Sequence, residues 1–397
     1  MSAGPGAADP VGGSPGELLR LLRTGRARSR SDLVALTGSS RSTVSLRVEQ
    51  LISAGLLAEH GHAGSTGGRP ARLLALRSDA GCVLAVDLGV TSADVALTDL
   101  SGHVLAETST EVRVADGPRP VLDQVDRLTA ALLRDAGRER GDVRAVGVGV
   151  PGPVEFATGR LVHPPMMPGW HDYAVPEAFA SLRCPVLVDN DVNVMAAGEL
   201  EGSTVAGEDF LVVKIGTGIG CGIVLGGQVY RGSTGSAGDI GHVHVPDPRH
   251  VPCSCGNENC LETLAGGAAL ARDGAAAGLP VRTARDLVEL AVRADPQALA
   301  LVREAGRRVG EVLASLVSFF NPGRIVVAGG VAHAGNPLLA GIREGVYRRA
   351  LPLAARDLDI SISGLGERAG RVGAARMAIE ACLAPERIDA DLERRVT

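Results

Sequence analysis

The sequence predicts an α/β body preceded by a small winged helix-turn-helix module. Three observations carry this. Residues 1–77 hold ten Arg against five Asp and Glu, a net of +5, while the whole chain is −5, so the remainder is −10. A small basic module is therefore joined to a large acidic body. The early residues place apolar side chains at helical spacing, punctuated by Gly25 and Gly38. From residue 82 onward, short apolar runs end in Gly, Asp or Asn, as strands do when they feed loops.

Composition bounds the reading. A chain of 397 residues is long enough for two or three folded units, and 45% hydrophobic with 21% charged residues is ordinary for a globular protein. Aromatic residues are only 2%, so the core must be built from Ala, Val and Leu. Lys214 is the only lysine in an arginine-rich chain. No run of about 18 uncharged apolar residues exists, and the N-terminus lacks a basic start followed by an apolar run, so a cytoplasmic location is expected. In that reducing compartment seven cysteines, an odd number, argue against a disulfide framework.

Taking the chain in order, residues 1–14 form a Gly/Pro/Ala tail expected to be disordered, and 15–78 the module. GELLRLLRTG and SRSDLVALTG read as two helices. A third starts at Ser40 as N-cap and carries Val44, Val48, Leu51 and Ile52 on one face. Its first turn and exposed side offer Ser40, Arg41, Ser42, Thr43, Ser45 and Arg47 to a major groove. LLAEHGHAGSTGGRPARLLAL then reads as two strands around a Gly-rich tip, a wing carrying Arg69 and Arg72. Double-stranded DNA is the expected partner; a helical protein-interaction module with a basic face is the alternative.

In the body, residues 79–397, CVLAVDLGVTSADVALTDL reads as two strands around a turn that places Asp87, Gly89 and Thr91 where a hydrated Mg²⁺ and phosphate could be held. RAVGVGVPGPVE is a buried strand ending in a Pro-Gly turn. PVLVDNDVNVMAAGEL is a strand, then Asp189, Asn190, Asp191 and Asn193, then a helix. Asp191 is a candidate general base for a hydroxyl, although a cluster of helix caps would also place Asp and Asn there. FLVVKIGTGIGCGIVLGG holds a second Gly-rich turn, Gly216, Thr217 and Gly218, and RIVVAGGVA offers Gly329 and Gly330 for close approach of a nucleotide. Finally CSCGNENC puts Cys253, Cys255 and Cys260 within eight positions. Metal site, redox site and inert thiols are all open, but the redox pattern C-x-x-C is missing.

These motifs, in this order, resemble the ROK family of repressors and sugar kinases: the winged helix, DLGVT, VGVPGPV, DNDVN, GTGIGCGIVLGG, GDIGH, CSCGNENCLE and AGGVA. The resemblance runs from about Gly16 to Ala381. It implies a two-lobed, actin-like ATPase (ribonuclease H-like) sugar-kinase fold with a sugar between the lobes. On that matching Asp191 is the catalytic base, and Gly152, Asn190, Asp239, His242 and Glu262 bind sugar. His242 with Cys253, Cys255 and Cys260 matches the family's zinc loop, and three thiolates with one imidazole are a set that favours tetrahedral Zn²⁺.

Several positions depart from the kinase pattern. Val90 stands where a second glycine is usual, Asp239 replaces Glu, and Met166 stands at a sugar-binding Asn. The spacing from His242 to Cys253 is one residue longer than the family pattern, leaving His244 and His250 as substitutes. Asn259 replaces a glycine before the last cysteine, a position where φ > 0 is expected. The resemblance and the departures together imply a sugar- or sugar phosphate-responsive DNA-binding regulator, a repressor, working as a homodimer or homotetramer. An ATP- and Mg²⁺-dependent sugar kinase is the alternative, and a ligand-free dimerisation scaffold the third reading.

Overall fold

The structure, a computed structural model, describes residues 13–62, 72–202 and 207–396; residues 1–12 of the expected tail and Arg69 at the wing tip lie outside them. The described residues open with α1 (Pro15–Arg23), α2 (Arg30–Thr37) and α3 (Arg41–Ser53), followed by an antiparallel hairpin of β1 (Leu57–His62) and β2 (Arg72–Leu76). Each helix starts at a serine. Ser14, Ser29 and Ser40 accept from the backbone N–H three residues on, each cap stabilising its helix by about 1 kcal/mol. Gly38 ends α2 in the left-handed region at φ 66°, which gives the tight turn into α3.

The body contains two five-stranded sheets of identical topology. The first is built from β3 (Cys82–Leu88), β4 (Ser92–Asp99), β5 (Val104–Glu111), β6 (Val143–Val150) and β9 (Val186–Asn190), in the order β5-β4-β3-β6-β9. Its first three strands form an antiparallel meander; α4 (Pro118–Asp135) then crosses over to β6, which is parallel to β3 and β9. A small hairpin of β7 (Val154–Glu155) and β8 (Arg160–Leu161) precedes β9, and α5 (Asp191–Glu201) follows it.

The second sheet repeats the plan with β10 (Phe210–Ile215), β11 (Ile219–Leu225), β12 (Gln228–Tyr230), β13 (Arg324–Ala328) and β14 (Asp359–Ile362), in the order β12-β11-β10-β13-β14. Its helices are α6 (Leu261–Ala265), α7 (Gly267–Ala276), α8 (Ala284–Val292), α9 (Pro296–Phe320), α10 (Asn336–Arg349) and α11 (Pro352–Ala355). The central strands FLVVKI and RIVVA are almost wholly buried, as expected where both faces of a sheet are covered.

Two last helices, α12 (Ala369–Cys382) and α13 (Pro385–Val396), return to the first lobe. Helix α12 packs on α5, β3 and β6, and α13 on α1. As a result the basic module has no separate core. Leu18, Leu21, Val44, Val48 and Leu51 share one apolar cluster with Ile379, Leu383 and Ile388 of the last helices and with Val83, Leu100 and Ala145 of the first lobe. Asp389 of α13 accepts from the Gly16 N–H at 2.8 Å. The expected division at residues 78 and 79 falls in a short 3₁₀ turn tied to both sides: Arg77 N–H donates to Leu56 O, and Leu100 N–H to Ser78 O.

Candidate functional site

A cleft of about 1800 Å³ lies between the two sheets, larger than the roughly 300–1,000 Å³ that one small ligand needs. Strand β9 and the first turn of α5 deliver Asn190 and Asp191 to it, at the carboxyl end of the first sheet, where α/β folds place ligands. Asn190 caps α5, its Oδ1 accepting from Val192 N–H at 3.1 Å, and its Nδ2 donates to Gly152 O at 3.1 Å. The capping alternative therefore holds for Asn190 but not for its neighbours. Asp189 is buried against Arg231 at 2.6 Å, and Asn193 donates to Asp189 at 3.0 Å while its own buried Oδ1 has no partner among the described residues.

Asp191 is held by the chain's one lysine. Lys214 Nζ, from β10 of the opposite lobe, lies 2.5 Å from Asp191 Oδ2, with 26% and 11% of the two side chains exposed. Burial works against the Lys214 ammonium, but the Asp191 and Asp87 carboxylates outweigh it and hold its pKa above the usual lysine value. Asp87, one residue before the end of β3, lies beside them. Burial pushes its carboxyl up to about 6, a rise moderated by Lys214 and increased by Asp191. Only glycine is tolerated opposite it, since a Cβ on Gly370 of α12 would fall 1.8 Å from Asp87 Oδ2. The sequence named both carboxylates but not Lys214 as their partner; its signal was a lone lysine near the end of a strand in an arginine-rich chain.

Of the other expected nucleotide and sugar positions, Thr91, Gly152, Gly216, Thr217, Gly218, Asp239, His242, Glu262 and Gly330 line the cleft, as do Val90 and Met166. Asp87, Gly89 and Gly329 do not; the space beside Gly329 is taken by the Ile215 backbone. Asp239 reaches the cleft because Gly238, at φ 89°, lets the loop press against β11, where a Cβ would fall 1.8 Å from Cys221 O. The second turn is fastened to α7, Gly267 N–H donating to Gly216 O at 2.7 Å.

The cysteine loop folds beside that turn. One donor atom each from His242, Cys253, Cys255 and Cys260 lies within 4.8 Å of the others, and His244 and His250 are not in the group. His244 faces Glu258 O and His250 faces the Glu258 carboxylate instead. Cys255 and Cys260 Sγ are 3.6 Å apart, and Cys253 Sγ is 3.5 Å from His242 Nδ1, close to the roughly 3.7 Å edge of a tetrahedral zinc–sulfur site. The donor set therefore fits a tetrahedral metal ion. Burial pushes the Cys260 thiol up to about 12, while the Asn257 N–H draws Cys255 down to about 7.

The loop also carries its own brace. Asn259 sits at φ 53°, accepts from Val251 N–H at 2.8 Å and donates to Asp247 O at 2.7 Å. Arg249 and Arg308 grip the Asp247 carboxylate and hold it well below the usual range. Glu262, at the start of α6, brings loop and turn together: its Oε1 accepts from Cys253 Sγ at 3.5 Å, and its Oε2 fills the space beside Gly218.

On the basic module, Arg41 and Ser42 are exposed at the start of α3 and Ser45 is half-buried. Ser40 and Thr43 are engaged in the cap. Two arginines differ from expectation: Arg47 donates to Gly13 O, and Arg72 pairs with Glu59 across the wing. Leu46, unremarked in the sequence, stands 63% exposed on α3, and an apolar side chain there suits a thymine methyl.

The model of the ROK family matches residues 83–381. A putative xylose repressor of Caldicellulosiruptor sp. (strain Rt8B.4) is 30% identical over 386 residues, covering 92% of this chain and 95% of its own. The crystal structure of a ROK family transcriptional regulator described as a homolog of the E. coli MLC protein superposes with a TM-score of 0.79 at 26% identity, covering 96% of this chain and 98% of its own. A ROK family glucokinase from Streptomyces griseus, in complex with glucose and AMPPNP, gives 0.66 at 28% identity and covers 99% of its own length but 75% of this chain.

Proposed function

This chain belongs to the ROK family, and from that membership we propose that it is a sugar-responsive transcriptional regulator, a repressor, which binds operator DNA through α3 and senses a sugar or sugar phosphate in the inter-lobe cleft. The observation that carries the reading is the shared core. Helix α12 touches Asp87 through Gly370, directly behind the Lys214 and Asp191 side chains that line the cleft, and runs into α13, which packs on α1 of the DNA-reading module. Any ligand that prefers one arrangement of the lobes thereby biases the position of α3, which is what a two-state regulator requires.

Glu262, His242, Asp239, Asn190 and Gly152 would contact the sugar. A zinc ion on His242, Cys253, Cys255 and Cys260 would supply cross-linking of the loop rather than chemistry, holding His242 and Glu262 at fixed separation. The chain's own residues do the rest: Asn259 and Asp247 brace the loop, and Glu262 transmits its position to the Gly216–Gly218 turn. Reading two half-sites one helical turn apart needs two copies of α3. The exposed Phe319, Leu351 and Leu353 at the ends of α9, α10 and α11 support self-association into a dimer.

A kinase reading is favoured by Thr91, Thr217 and Asp191 in one cleft. Against it, the carboxylates of Asp87 and Asp191 that would serve a Mg²⁺ ion and a sugar hydroxyl already share an ammonium. Binding to DNA from the protein's own upstream region, measured with and without a panel of sugars and sugar phosphates and alongside ATP consumption, separates the readings. DNA release or recruitment by one sugar without ATP turnover is the expected result. Turnover that is lost in Asp191→Asn would establish the kinase, and no DNA binding even at low salt would overturn the regulator.

A further inference from the structure

A second cavity, of about 770 Å³, opens where the basic module, the first lobe and α13 meet. Six arginines line it: Arg140, Arg144 and Arg183 from the first lobe, and Arg387, Arg394 and Arg395 from α13; Asp391 is the one acidic side chain. A lining of this size would hold about two arginines at the chain's average composition. Local pairing does not absorb the excess. Asp391 faces Arg387 and Arg394, Arg140 pairs with Asp126, and Arg395 donates to Ala54 O. The guanidinium groups of Arg144 and Arg183 make no hydrogen bond or ion pair among the described residues. The floor is apolar, with Leu56, Leu100 and Leu383.

We propose that this junction cavity is a second ligand site, for a small phosphate-bearing anion. Arginine forks match phosphate oxygens bidentately, and the volume lies within the roughly 300–1,000 Å³ of small-molecule sites, which suits a phosphorylated metabolite with an apolar or sugar portion. Nucleic acid is a poorer occupant. The cavity adjoins Ala54 at the C-terminal end of α3, and a helix of 13 residues puts it about 20 Å from the exposed Arg41 at the other end. An anion held between lobe and α13 arginines would fix α13, and with it α1, against the first lobe. Binding itself does not depend on the regulator reading; a consequence for DNA does.

The test is calorimetric titration of the full-length protein with inorganic phosphate and with a hexose 6-phosphate, in the parent, in Arg144→Gln/Arg183→Gln and in Glu262→Gln. Binding in the parent that weakens at least tenfold in the arginine variant, falls with added salt and survives Glu262→Gln is expected. An ester bound more tightly than free phosphate assigns the cavity to a metabolite, and equal affinities assign it to the ion. If the double variant does not fold, the exposed Arg183→Glu replaces it with the same expectation. Absence of binding in the parent, or binding that Glu262→Gln abolishes and the arginine variants leave intact, overturns the proposal. A parallel operator-affinity measurement with saturating ester reports the coupling separately.

Discussion

The two sheets of the body have the same strand order, yet the residue one position from the end of the first strand differs in sign. In the first sheet it is Asp87, beside Gly149 of β6; in the second it is Lys214, beside Ala328 of β13. Facing each other around Asp191, they make a compensated charge cluster from what the topology alone would leave as equivalent positions. A fold shared with kinases thus says little about activity, and the particular side chains at the strand ends say much more. The turns that follow differ too. Gly216–Gly218 is clamped by α7 and Glu262, while Val90 and Thr91 of the first turn face the open cleft.

The comparison breaks most directly at its cation. Lys214→Met leaves Asp191 and Asp87 adjacent and unpaired, and should lower unfolding free energy at pH 8 by about 3 kcal/mol in urea titration. Part of that loss should return near pH 5, where Asp87 takes up a proton. A loss under about 0.5 kcal/mol, the size of an exposed pair, would mean that the two sheets are not coupled through this charge.

Asp87 gives the next largest effect. Its pKa is raised on folding, so the folded chain binds more protons than the unfolded one between about 4 and 6, and stability falls as pH rises through that window. Relative to the parent, Asp87→Asn should gain about 2 kcal/mol between pH 4 and pH 7, read from denaturant midpoints at the two pH values. The clamp on the second turn is tested by Cys255→Ser, which should abolish metal retention on dialysis and weaken sugar binding about tenfold, or ~1.4 kcal/mol. Metal lost with sugar binding intact would separate loop from turn. The smallest effect concerns Asn259: Asn259→Ala should cost about 1 kcal/mol more than Asn259→Gly in thermal unfolding, because only the latter accepts φ 53° without strain.

Much of this was legible because it was local. The serine cap at Ser40, the Gly38 stop, the alternation of strand and Gly turn, and the cysteine spacing all act within a few residues. Asn259 showed its positive φ by standing where a glycine belongs. What escaped was long-range. Nothing in PERIDADLERRV names α1 as the partner for Ile388. Arg47 was read as exposed because the periodicity of α3 knows nothing of Gly13. The Lys214–Asp191 contact joins opposite lobes, and β12 is too short for its alternation to register.

The connector between β2 and β3 has one more implication. It is a single 3₁₀ turn hydrogen-bonded on both sides rather than a tether, so the basic module moves only with the first lobe on which it is packed. In the paired assembly proposed above, the protein would act as a ruler. Adding ~5 base pairs, half a helical turn, between operator half-sites would rotate one site to the opposite side of the duplex, and no slack in the chain could follow it there.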